Sequence, residues 1–309
     1  MMQERCIHIG LPKAGSTYLQ THVKKMLGAS FLEHPALKPL RLAAFGEQNE
    51  KRAAASLKEA LKGVLRSESP LIVSDERLSS WRHFDFRFLS QSEVLSYQER
   101  CCSLLYDVFA PAKVLLLARN PRDWLRSLHG QYVKAGESLS LDDFCSRNEG
   151  YLRQASCLDN LSYIYERAFG PGSVEVFPVE AMGFGTSSDW RCWLNQVFGL
   201  NIEWSSQPRY SGLDGRTLEA VRQGNRIIDQ LGKSSGISES KLSEFKRHAF
   251  RFIDSTLVDQ PYNQKRFRRL LGSQADKRSP PEPLVEEILS GMKKTIMLPR
   301  FDTVRHLYS

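Results

Sequence analysis

The segment Lys113-Val-Leu-Leu-Leu-Ala118 constrains this chain more than any other. After the leading lysine it is wholly apolar. Successive residues of a strand point to opposite faces, so a strand here is apolar on both. Such strands belong to parallel sheets that helices cover on both sides. The rest of the chain supplies the parts. Cys6–Gly10 reads as a short strand, and Ser16 or Thr17 opens a helix with Leu19, Val23, Met26 and Leu27 on one face. Leu71–Ser74 and Ser173–Phe177 read as further strands. Helical spacing marks residues 53–65, 92–109 and 152–169. Asn120-Pro121 predicts another helix start, an N-cap residue followed by proline at the first helical position.

Alternating strands and helices predict a three-layer α/β fold with right-handed crossovers. After Gly183 the pattern turns mostly helical. The expectation is a single domain over residues 1–309, with an α/β core of about 1–182 and a mostly helical C-terminal third of about 183–309. A hydrophobic content of 41% is enough for a sizeable core and excludes global disorder. The net charge of +8 suits a polyanionic partner. Basic repeats interleaved with aromatics and zinc-ligand spacings are missing, which argues against nucleic acid. The six cysteines form no C-x-x-C pair and read as buried, reduced thiols. Met1–Gly10 carries no apolar leader, and no run approaches the ~20 apolar residues that span a bilayer, so a cytoplasmic protein is expected.

The chemistry is expected in the first strand-to-helix loop, Gly10-Leu-Pro-Lys-Ala-Gly-Ser-Thr17. A helix N-terminus offers unpaired N–H groups and a positive dipole end, a seat for phosphate. Gly15 lets the backbone approach an anion. Lys13 supplies a point charge, and Ser16 and Thr17 supply hydroxyls. The loop is not a Walker A sequence. There lysine follows the last glycine directly, whereas here Ser16 does, and Lys13 precedes Gly15 by two positions.

Pro12-Lys-Ala-Gly-Ser-Thr-Tyr-Leu19 resembles the 5′-phosphosulfate loop of sulfotransferases that use PAPS (3′-phosphoadenosine 5′-phosphosulfate). The match runs position by position over Lys13, Ala14, Gly15, Ser16 and Thr17. Tyr18 stands where cytosolic members often carry tryptophan. A second segment, Val114 to Tyr132, resembles the family's 3′-phosphate motif. Arg119-Asn-Pro follows the strand, and Ser127 comes eight residues after Arg119. Arg119 leaves the strand's carboxyl end, where α/β ligands bind. Ser127 lies about two turns into the next helix, so guanidinium and hydroxyl can grip one phosphate. Arg122 and Arg126 read as surface charges. A softer likeness continues from Val174 to Glu180. The resemblance implies a P-loop-like sheet. It also implies transfer of a sulfonate from PAPS to a hydroxyl or amine of a small-molecule or glycan acceptor, release of PAP, and no metal.

Family members carry a His or Glu base just after the second strand of the sheet. Here Leu71–Ser74 runs into Asp75-Glu76-Arg77, making Glu76 the candidate base and Asp75 the second. A solvated turn or an internal ion pair with Arg77 is the competing reading. His8, His22, His83 and His129 read as structural. Leu78–Phe88, rich in aromatics, could line an acceptor pocket or form a packed loop, and the basic run Lys265–Arg278 could close the 3′-phosphate site or form a solvated helix face. Two other functions fit the strand–loop–helix start: a P-loop small-molecule kinase, which the lysine position opposes, and a non-catalytic nucleotide-binding module.

Overall fold

The computed structural model describes residues 4–27, 30–66, 69–80, 89–182, 189–202, 204, 215–257 and 279–308. Its centre is one sheet of five strands: β1 (Arg5–Gly10), β2 (Phe31–Glu33), β3 (Leu71–Ser74), β4 (Lys113–Ala118) and β5 (Val174–Pro178). The order is β2-β3-β1-β4-β5 and every pairing is parallel. β4 is buried from Val114 to Ala118, as its two apolar faces require. The fold is α/β, a parallel sheet flanked by helices, and the described residues after 182 form helices and turns only.

In chain order the helices are α1 (Ser16–Leu27), α2 (His34–Phe45), α3 (Glu50–Ala60), α4 (Lys62–Leu65), α5 (Gln91–Phe109), α6 (Pro121–Lys134) and α7 (Leu141–Arg147). Then come α8 (Glu149–Ser156), α9 (Leu158–Phe169), α10 (Asp189–Phe198), α11 (Gly215–Ser234), α12 (Glu239–Leu257), α13 (Glu282–Ser290) and α14 (Lys293–Ile296). Local chemistry explains several boundaries. Ser90 and Glu93 form a reciprocal capping box at the start of α5. Asn120 caps α6 through Arg122 N at 2.9 Å and Asp123 N at 3.3 Å, with Pro121 in the first turn. Leu19 and Val23 of α1 and Trp124, Leu125 and Leu128 of α6 are fully buried.

The structure departs from the sequence reading in three places. The helix expected over 53–65 begins at Glu50 and is interrupted at Leu61, just before Gly63, a weak helix former. The helix expected over 152–169 is two helices meeting at Cys157. That joint receives the C-terminal helices: the Asp159 carboxylate accepts from Lys294 N and Thr295 N, each at 2.8 Å. β2 and α2 were not anticipated, because Pro35 and Pro39 mask the helical spacing of Leu37, Leu40 and Ala44.

The C-terminal helices are bonded to the core. Asn225 of α11 donates to Val133 O at 2.8 Å and Glu137 O at 2.9 Å, and Lys246 Nζ of α12 donates to Gly136 O at 3.0 Å. All six cysteines are free thiols. Four are buried, but Cys157 is half-buried and Cys192 is exposed, unlike the uniform burial expected, because Cys192 lies on the outer side of α10. No helix among the described residues is long and apolar enough to cross a membrane.

Candidate functional site

In a parallel sheet all carboxyl ends open on one edge. β1 is flanked by β3 and β4, so the loops after these three strands meet there. The loop after β1 carries Lys13–Thr17, the turn after β3 carries Asp75 and Glu76, and the loop after β4 carries Arg119.

The first loop is tightly turned. A Cβ on Gly10 would lie 2.8 Å from the backbone nitrogen of Leu117, so only glycine lets β1 and β4 meet there. Ala14 N donates to Leu11 O at 3.0 Å. Lys13 at φ 68° and Gly15 at φ 84° both adopt the left-handed region. Glycine does so freely, but lysine pays a local strain that neighbours must hold. Two side chains hold it: Arg119 Nη1 donates to the Lys13 carbonyl oxygen at 2.6 Å, and Trp124 Nε1 donates to Pro12 O at 2.9 Å. Tyr18 N and Leu19 N of α1 donate back to Gly15 O at 3.0 and 3.3 Å, which closes the first turn of the helix onto this loop. Lys13 is half-buried, Gly15 and Thr17 are exposed and Ala14 is buried. Ser16 is 2% exposed, with a hydroxyl that has no hydrogen-bond partner. Tyr18 packs against His22 at a ring separation of 4.4 Å and stacks on Trp204 at 6.1 Å.

On the β4 side, the fork of Arg119 is anchored at the loop after β1. The next residue is clasped from elsewhere: Asn120 N donates to Glu180 Oε1 at 2.7 Å, and Tyr308 OH donates to Glu180 Oε2 at 2.7 Å. The Asn120 amide also donates to Leu307 O. Burial, together with the adjacent Glu180 carboxylate, pushes the Tyr308 phenol well above its ordinary range, so it remains a donor. Ser127 is half-buried on α6. Arg122 and Arg126 pair with Glu282 and Asp123.

On the β3 side, two adjacent carboxylates part ways. Asp75 is 2% exposed and lies between Arg41 Nε at 3.2 Å and Arg77 Nε at 2.9 Å. The ion pair weighed for Arg77 therefore forms with Asp75, and Asp75 is a structural anchor. Glu76 is half-buried on a short 3₁₀ turn. That turn is sewn to β1: Asp75 N donates to His8 O at 3.2 Å, and Ser79 Oγ donates to Gly10 O at 2.6 Å and Glu76 O at 2.8 Å. His8 is wholly buried. Burial lowers its pKa to about 4 against the opposing effect of Glu76, so the ring is neutral at physiological pH. Tyr308, Arg41 and Trp204 were not singled out in the sequence; each reaches the site from a segment whose placement no local pattern announces. Residues 81–88 and 265–278, the expected pocket and basic run, lie outside the described residues. Among the described residues no cluster of three or more His, Cys, Asp or Glu side chains could hold a metal ion.

No family model matches the chain, and no curated protein matches it. Among solved structures, a sulfotransferase from Alicyclobacillus acidocaldarius is similar at 15% identity, over 78% of this chain and 99% of that one, with a TM-score of 0.45.

Proposed function

We propose that this chain is a PAPS-dependent sulfotransferase acting on a hydroxyl or amine of a small-molecule or glycan acceptor. The observation that carries the reading is the hydrogen bond from Arg119 Nη1 to Lys13 O. It joins the two loops whose sequences resemble the 5′-phosphosulfate and 3′-phosphate motifs, on adjacent strands of a parallel sheet. In this reading Lys13, Ala14, Gly15, Ser16, Thr17 and Tyr18 hold the 5′ side of the donor, and Arg119 and Ser127 hold its 3′-phosphate. Glu76 takes the proton of the acceptor as its oxygen or nitrogen bonds to sulfur. Lys13 balances the negative charge that grows on the phosphate oxygen as the old S–O bond breaks. Positioning and electrostatics supply most of the rate, as in phosphoryl transfer, and no metal is required. Residues 1–309 work as one catalytic unit.

Calorimetric titration with PAP and with 5′-AMP tests the reading. PAP is expected to bind far more tightly, and Arg119→Ala should remove roughly 1.5–3 kcal/mol of that difference. Incubation with labelled PAPS and a panel of alcohols, phenols, amines and sugars should then yield a sulfonated product. Equal affinity for PAP and AMP, or magnesium-dependent ATP turnover in place of sulfonate transfer, overturns it.

A further inference from the structure

His8 lies in the middle of β1, paired in register with Ser74 of β3. The imidazole is 0% exposed. Its Nδ1 lies 2.7 Å from Ser74 Oγ, and the amide of Gln20, on α1, donates to the same oxygen at 3.1 Å. Nε2, on the far side of the ring, is buried and has no hydrogen-bond partner. A buried, unsatisfied nitrogen on the central strand of a site needs an explanation.

The hydrogen-bond inventory assigns the tautomer. Ser74 has one proton to give and already accepts from Gln20. If Nδ1 carried the ring proton, the Ser74 hydroxyl and Nε2 would both lack partners. If Ser74 donates to Nδ1, the proton sits on Nε2, and only Nε2–H is unmet. The second arrangement leaves one orphan in place of two. An unmet N–H donor seeks a carboxylate above other acceptors. Glu76 follows Ser74, whose hydroxyl lies against this ring, by two residues, and its turn is fastened to β1 by Asp75 N donating to His8 O and Ser79 Oγ donating to Gly10 O.

We propose that His8 is a positioning residue, whose Nε2–H takes the Glu76 carboxylate as its acceptor in the donor-bound enzyme and so aims the other carboxylate oxygen at the incoming acceptor. The chain Gln20–Ser74–His8–Glu76 then runs from the helix that seats the donor to the group that receives the proton. This rests on the assignment of Glu76 as base. It adds to that assignment a physical reason for a buried polar ring at this position, and a route by which occupancy of the donor loop reaches Glu76.

Two variants and one spectrum test it. His8→Phe keeps the ring volume and removes the donor. His8→Gln keeps an N–H donor at about the reach of Nε2. With PAP affinity unchanged in both, kcat should fall on the order of 10- to 100-fold in His8→Phe and recover substantially in His8→Gln, while the KM for PAPS stays near wild type. A folded His8→Phe protein with wild-type kcat overturns the proposal, as does equal loss in both variants. Nitrogen-15 spectra of the PAP-bound protein decide the matter even if His8→Phe does not fold. The expected result is a proton on Nε2, with a resonance that moves on Glu76→Gln. A proton on Nδ1, or an Nε2 signal indifferent to Glu76→Gln, overturns it. A wild-type protein that transfers no sulfonate defeats the enzymatic reading instead, and the spectrum reports on the His8–Glu76 contact separately.

Discussion

Asp75 and Glu76 are neighbours in sequence, yet substituting them should have opposite consequences. Asp75 is 2% exposed and shared by Arg41, itself 4% exposed, and Arg77. Asp75→Asn removes the negative charge that the buried Arg41 guanidinium faces at 3.2 Å. Losing one partner of a buried pair costs about 3–5 kcal/mol. Asparagine retains an oxygen for Arg77 N, which Asp75 Oδ1 now accepts at 3.1 Å. The expected loss is therefore at the lower end, about 3 kcal/mol, a large part of a total stability of roughly 5–15 kcal/mol. Urea unfolding followed by tryptophan fluorescence measures it: the midpoint should fall with the slope unchanged. Arg41→Met combined with Asp75→Asn should recover part of the loss, since the buried positive charge is then removed together with the negative one. Glu76→Gln, on the half-buried turn, should leave the midpoint within about 0.5 kcal/mol of wild type, hold PAP affinity, and lower kcat by roughly 10²–10⁴-fold. If Asp75→Asn unfolds at the wild-type urea concentration, the ion-pair argument fails. If Glu76→Gln is the unstable variant and remains active, the two roles have been assigned the wrong way round.

Further outcomes follow from the same geometry. Lys13→Ala should lower kcat by on the order of 10²-fold or more in a single-turnover assay with labelled PAPS, and near-normal turnover would remove Lys13 from the mechanism. His8 has a folded pKa of about 4, below the ordinary 6.5, so the unfolded chain binds more protons between those values. Its contribution is complete above pH 6.5 and is lost as pH falls toward 4, by about 2 kcal/mol between pH 7 and 5. Urea midpoints for wild type and His8→Gln across that range should diverge, and parallel curves would refute it. Tyr308→Phe removes a hydrogen bond to the Glu180 carboxylate and should cost about 1.5–3 kcal/mol of stability. Through the Asn120 clasp it should also weaken PAP binding more than AMP binding; titration of both nucleotides checks this, and equal weakening would show that the clasp does not reach Arg119.

Much of the architecture was legible because it rests on local rules. The doubly apolar run at Val114–Ala118 required a covered parallel strand, and β4 is a buried inner strand of the sheet. The glycine-bearing turn before α1 and the Asn-Pro start of α6 were readable as a tight strand-to-helix loop and a capped helix, since caps and turns depend on a few adjacent residues. What the sequence by itself determined was therefore four of the five strands, the loops that leave them and the residue types those loops carry. Tertiary structure alone decided which polar groups meet. It placed Arg41, on a helix obscured by two prolines, against Asp75, and so separated an anchor from a candidate base that look alike in the chain. It brought Tyr308 to Glu180 across 128 residues and turned the His8 ring away from every partner but Ser74. Such contacts depend on distances between elements, which periodicity and capping do not encode. A side chain's partners, and hence its charge state, follow only once the elements are packed.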